Sequence, residues 1–90
     1  MLKIRYSSTF KRDYKTIVKR GYNIKVFEEA LQILIKERPL PPKHLDHALI
    51  GDYMGYRECH ISPDWLLVYK IETEVNTLSL TRNGTHSDLF

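Results

Sequence analysis

The stretch YRECHISPDWLLVYKIETEVNTLSLTR, residues 56–82, decides the fold. Its residues are β-branched, aromatic or alternating, and turn signals fall at Ser62-Pro63-Asp64, around Glu72 to Asn76, and just beyond it at Asn83-Gly84. Three strands are predicted, about Tyr56 to Ile61, Trp65 to Ile71 and Thr77 to Arg82. Connections this short make consecutive strands antiparallel neighbours, because parallel pairing needs a crossover of about a dozen residues. Strand parity puts Tyr56, Glu58 and His60 on one side and Arg57, Cys59 and Ile61 on the other. In the next strand, helices must bury either Trp65, Leu67, Tyr69 and Ile71 or the opposite set, Leu66 and Val68. The second face is then left available, with His60 at a strand end beside a turn, where scaffolds often display chemistry.

Upstream of that stretch the pattern changes. Leu2 to Tyr6 alternates apolar and basic residues in the period of a short strand. Ser8 or Thr9 can cap a helix whose apolar residues Phe10, Tyr14, Ile17 and Val18 fall on one face, and Gly21 stands just past its end. A second helix starts with Asn23 as cap, where Tyr22 and Phe27 have the spacing of a hydrophobic staple. Ala30, Leu31, Leu34 and Ile35 continue its buried face. Pro39, Pro41 and Pro42 force the chain out into an extended segment. The order is β-α-α-β-β-β with a tail from Thr85 to Phe90. This is an α+β fold in which a helical hairpin packs on a small, mainly antiparallel sheet. One domain over residues 1–90 is all this length supports.

Composition narrows the function classes. The chain is 42% hydrophobic and 28% charged, which suits a packed core rather than disorder. A chain this small is expected to have only a few kcal/mol of stability, which points to a binding partner. The single cysteine, Cys59, cannot close an internal disulfide and suits a reducing compartment. No signal-like or membrane-length apolar run is present, so a cytoplasmic protein without a membrane partner is expected. The net charge of +3 favours an anionic partner. Lys11, Arg12, Lys15 and Lys19 concentrate on the first helix, as a solvated face or as a surface for RNA or an acidic partner.

Four histidines stand at His44, His47, His60 and His86. His44-x-x-His47 has loose metal-ligand spacing, but no second HxxH, HExxH or CxxC accompanies it, so no metal and no cofactor are expected. Cys59 falls inside a strand, where an inert thiol is the simpler reading than a nucleophile. Phosphate-binding glycine loops are absent. What remains is a basic, histidine-rich set suited to cutting RNA with the substrate's own 2′-hydroxyl as nucleophile. That reaction needs a base, an acid for the departing 5′-oxygen and a cation for the phosphoryl charge. Histidine can fill either proton-transfer role near neutral pH.

Three ordered blocks carry a resemblance: residues 46–51 (DHALIG), residues 56–69 (YRECHISPDWLLVY) and residues 82–90 (RNGTHSDLF). Together they resemble the YafQ branch of the RelE superfamily of toxins. The resemblance implies a bacterial type II toxin, a ribosome-dependent endoribonuclease acting on mRNA and neutralised by a cognate antitoxin. By motif, His86 is similar to the principal catalytic histidine, the simplest choice for the acid. His60 and Asp64 resemble the base and its partner or a second proton-transfer pair, and His47 a further active-site histidine. Arg82 stands where the family places an arginine for the scissile phosphate. Trp65 and Phe90 match aromatic positions that stack on or position a base, with core packing as the rival role for both, and Arg57, Lys11 and Lys15 are expected to add substrate contacts. Asn83 departs from the family pattern between arginine and glycine. A nonenzymatic RNA- or ribosome-binding module and a ribosome-independent RNase are the alternatives.

Overall fold

Residues Trp65 to Tyr69 are buried without a break, so this strand must be covered on both faces and flanked on both edges. A computed structural model describing residues 1–90 places it at the centre of a five-stranded sheet. The elements are β1 (Lys3–Tyr6), α1 (Ser8–Lys19), α2 (Ile24–Ile35), β2 (His47–Ala48), β3 (Arg57–Ser62), β4 (Trp65–Glu72), β5 (Thr77–Gly84) and α3 (His86–Leu89). The sheet order is β1-β5-β4-β3-β2, with β1 parallel to β5 and every other pair antiparallel.

The α+β class and the order of the six long elements are as the sequence reading has them. Trp65, Leu67, Tyr69, Cys59 and Ile61 face the helices, where they meet Phe10, Ile17, Phe27, Leu31, Leu34 and Ile35. Val18 lies outside this core and is half exposed, so α1 buries a narrower stripe than its apolar spacing suggested. Its cap is Ser7 rather than Ser8 or Thr9: the Ser7 hydroxyl accepts from the Phe10 amide and donates to the Thr81 carbonyl. Asn23 caps α2 as expected.

Four further features differ from the sequence reading. The sheet face of Leu66 and Val68, expected to be left available, is buried at both residues. The two-residue strand β2 and the one-turn helix α3 are too short to carry a period, although Thr85 and Asp88 form a capping box around the latter. Asn83-Gly84 is no turn but the end of β5. Buried Asn83 accepts from Trp65 Nε1 at 3.0 Å and donates to the Phe10 carbonyl at 3.3 Å. Its departure from the family pattern therefore concerns the core and not the substrate. Gly84 (φ +152°) brings the chain so close to α3 that a Cβ would stand 3.0 Å from Asp88.

No helix is long and apolar enough to cross a membrane. Asn83→Ala would leave the Trp65 indole N–H without its acceptor inside the core. It should cost about 1–3 kcal/mol of unfolding free energy in a urea titration. An unchanged midpoint would mean that this bond does not tie α1, β4 and β5 together.

Candidate active site

The end of β3, the β3–β4 turn and α3 enclose a cleft of about 450 Å³. Leu66 lies among its lining residues, with His60, Pro63 and Asp64 from the strand end and turn and His86, Ser87 and Phe90 from α3. Two histidines from remote parts of the chain thus meet in one cavity. His60 sits beside a register shift in the β3–β4 ladder, a local irregularity of the kind that re-aims a side chain. Its Nδ1 lies 3.3 Å from the Pro63 carbonyl, which can only accept, so this contact favours the tautomer that is protonated at Nδ1. In the neutral ring Nε2 is then the basic nitrogen. His86 is the first residue of α3, exposed, with its ring 5.3 Å from that of Phe90.

Asp64 lies in the cleft but accepts from the Tyr22 hydroxyl at 2.9 Å, which raises the Tyr22 pKa. His60 leans on the Pro63 carbonyl instead of on Asp64. A residue that the sequence reading left out of the site, Glu58, also lines the cavity: it is 7% exposed and its Oε2 has no partner. His47 stands opposite Glu58 in the β2–β3 ladder, and its Nε2 is 3.6 Å from Glu58 Oε1. His47 therefore reaches the cavity through Glu58. Alternation placed Glu58 on the right face, but nothing in the sequence marked it as buried. His44 is structural, its Nδ1 donating to the His60 carbonyl at 2.6 Å on the edge of β3.

Arg82 pairs in register with Val68, on the face away from the helices. Asp13 of α1 holds its Nε at 2.8 Å and its Nη2 at 3.3 Å, and this raises the Arg82 pKa, with burial opposing and Tyr53 adding to the rise. Tyr53 in turn packs against Phe90, with ring centroids 6.2 Å apart. Arg82 does not line the cleft: it is anchored to α1 and connected to the cleft only through Tyr53 and Phe90.

Several expected substrate contacts lie elsewhere. Trp65 is 0% exposed and stacks on Phe27, so it is unavailable to a base and serves the core. Arg57 shares the helix-facing side with Cys59 and pairs with Asp46, which also accepts from Tyr69. Lys11 and Lys15 flank a separate aromatic groove formed by Tyr6, Phe10, Tyr14 and Phe27. Burial pushes the Cys59 thiol up to about 12, which makes it a poor nucleophile. No three His, Cys, Asp or Glu side chains converge closely enough to share one metal ion.

A family model described as a bacterial toxin of type II toxin-antitoxin systems, YafQ, matches residues 2–90. The chain belongs to the YafQ toxin family. It is 38% identical over 88 residues to the mRNA interferase toxin YafQ of Escherichia coli K12, covering 97% of this chain and 94% of that protein. A metal-bound toxin from Helicobacter pylori matches at 47% identity over the whole of both chains, with a TM-score of 0.94. The E. coli DinJ-YafQ complex matches at 36% identity and a TM-score of 0.90, over 100% of this chain and 99% of that one. Membership in the YafQ family makes this chain a type II toxin, as its three sequence blocks implied.

The tail bearing His86 is docked by charge. Arg20 donates to Asp88 at 2.6 and 3.1 Å and, with the Thr85 amide, holds that carboxyl well below the usual carboxylate range. The folded pKa lies below the unfolded one of about 3.9, so the pair's contribution is complete above that value. It is lost only as pH falls through the folded pKa. Amide protection at Leu89 and Phe90 should therefore persist at about pH 4 in exchange measurements. Its disappearance between about pH 6 and 5 would show that the tail is held by something other than Asp88.

Proposed function

We propose that this toxin is a ribosome-dependent endoribonuclease that cuts mRNA by attack of a substrate 2′-hydroxyl on the adjacent phosphorus. The observation that supports it most is the meeting of His60 and His86 across one cleft, with Glu58 beneath them. His60 Nε2 takes the 2′-hydroxyl proton as the new O–P bond forms, and His86 gives a proton to the 5′-oxygen as the old bond breaks. The products are a 2′,3′-cyclic phosphate and a free 5′-hydroxyl. Glu58, with His47 beside it, stabilises the imidazolium that His60 becomes. Asp64 holds the turn that carries His60, through its bond to Tyr22.

Arg82 supplies the fixed cation. Asp13 takes Nε and Nη2 and Tyr53 also bonds the guanidinium, so Arg82 acts on a phosphoryl oxygen through its fixed, permanent charge. Phe90, 60% exposed, offers the stacking surface that buried Trp65 cannot. No step passes through a metal or another cofactor. The ribosome, in the cytoplasm, aligns the message, and positioning of this kind can lower a barrier by several kcal/mol.

His86→Ala should lower mRNA cleavage on programmed ribosomes by about 10² to 10⁴-fold while antitoxin binding is kept. Unchanged cleavage by the purified variant would remove His86 as the acid and favour a binding module. Cleavage of free RNA at the ribosome-dependent rate would instead make the protein a ribosome-independent RNase.

We further propose that the cognate antitoxin binds the aromatic groove of Tyr6, Phe10, Tyr14 and Phe27, where Lys11 and Lys15 suit an acidic amphipathic segment. Reversing both charges, Lys11→Glu with Lys15→Glu, should weaken antitoxin affinity by tenfold or more, on the order of 1.4 kcal/mol, and spare cleavage. Full affinity in a titration would move the antitoxin to another face.

A further inference from the structure

The tight turn between α1 and α2 touches both walls of the cleft. On one side Arg20 makes a two-pronged bond to Asp88 of α3, at 2.6 and 3.1 Å. On the other, two residues later, the Tyr22 hydroxyl donates to Asp64 of the β3–β4 turn at 2.9 Å. Gly21 permits this reversal with φ +82°, and a Cβ there would meet nothing within 4 Å. The Tyr22 ring is fixed edge-on against buried Trp65, with centroids 5.6 Å apart. The turn is thereby anchored to the core while its polar groups reach outward to two separate segments.

We infer that Arg20 and Tyr22 form a clamp that sets the separation of His60 and His86, so that both are positioning residues for the proposed cleavage. α3 has four residues, far below the roughly 12–15 at which an isolated helix begins to hold its own shape. Its order must come from attachment. Asp88 concentrates that attachment in one carboxylate: Oδ2 accepts from both Arg20 and the Thr85 amide, so the ion pair and the helix cap share an atom. Releasing Arg20 frees the wall that carries His86 and Phe90; releasing Tyr22 loosens Asp64 in the turn beside Pro63, whose carbonyl lies 3.3 Å from His60 Nδ1, while His60 itself stays in the β3–β4 ladder. Neither Arg20 nor Tyr22 lines the cleft. They act on the reaction through the histidines.

This inference rests on the proposed roles of His60 and His86, and the test separates the two. Arg20→Ala, Arg20→Lys and Tyr22→Phe are assayed for kcat and KM on programmed ribosomes, and tail order is read from ¹⁵N relaxation of residues 86–90. Arg20→Ala should lower kcat by about tenfold to 10²-fold with KM held, and should raise the mobility of the tail. Arg20→Lys should recover part of both, and Tyr22→Phe should give a smaller kcat loss with the tail still ordered. A risen KM with kcat held would make Arg20 an RNA contact and overturn the clamp, as would a tail that stays ordered in Arg20→Ala. A mobile tail with full kcat would overturn the role of His86, and with it the clamp's catalytic purpose. His86→Ala reports on that role independently.

Discussion

Burial of the Trp65 indole is the constraint from which the rest of the architecture follows. Its ring meets Phe27 of α2 and Tyr22 of the helix–helix turn, and its N–H must find an acceptor because a buried donor left unpaired costs about 1–3 kcal/mol. Asn83 is that acceptor, and the same side chain donates to the Phe10 carbonyl in α1. One indole thus links both long helices to the last two strands. The link also fixes position outside the core: Arg82 and Gly84 flank Asn83, and Tyr22 sits at the rim of the cleft. The aromatic residue that motif comparison assigned to substrate contributes to the site from beneath, by fixing the segments that form its walls.

The fold was legible because its long elements carry their own periods. Phe27, Ala30, Leu31, Leu34 and Ile35 announce a helix face, and the apolar, aromatic run from Trp65 to Ile71 announces a strand, though not that both its faces are buried. β2 and α3 were not legible, since two residues or one turn have no period to read. The site was legible where chemistry is local. His60 and His86 fall at element ends, and they do share a cleft. It was not legible where long-range pairing decides a side chain's use. Arg57 is drawn to Asp46, Asp64 to Tyr22 and Arg82 to Asp13, none of them near neighbours in sequence. Glu58 needed the fold as well, because burial of a strand glutamate depends on what the far end of the chain lays over it.

The same pairings determine how the protein presents charge. Net positive charge resides chiefly on the helix face, where Lys11 and Lys15 border an aromatic groove, while the cleft lies beyond the β3–β4 turn and contains the carboxylates Glu58 and Asp64. The arginines nearest the cleft already hold acidic partners, Arg82 with Asp13 and Arg20 with Asp88. A guanidinium held in this way is oriented before substrate arrives, which favours transition-state stabilisation over ground-state attraction.

That distribution bears directly on the proposed need for a ribosome. A nuclease that captures free RNA relies on unpaired cations along its groove, because phosphate neutralisation supplies most nonspecific affinity. Here the groove is lined by imidazoles, an exposed phenylalanine and two carboxylates that repel a phosphate backbone, and by no lysine or arginine. Such a cleft gains little from RNA binding alone and much from a message already held in place, where only the geometry of His60, His86 and Arg82 has to be supplied. Under the proposed reading, the cleft supplies alignment of the reacting groups, and affinity for the substrate comes from the ribosome that already holds it.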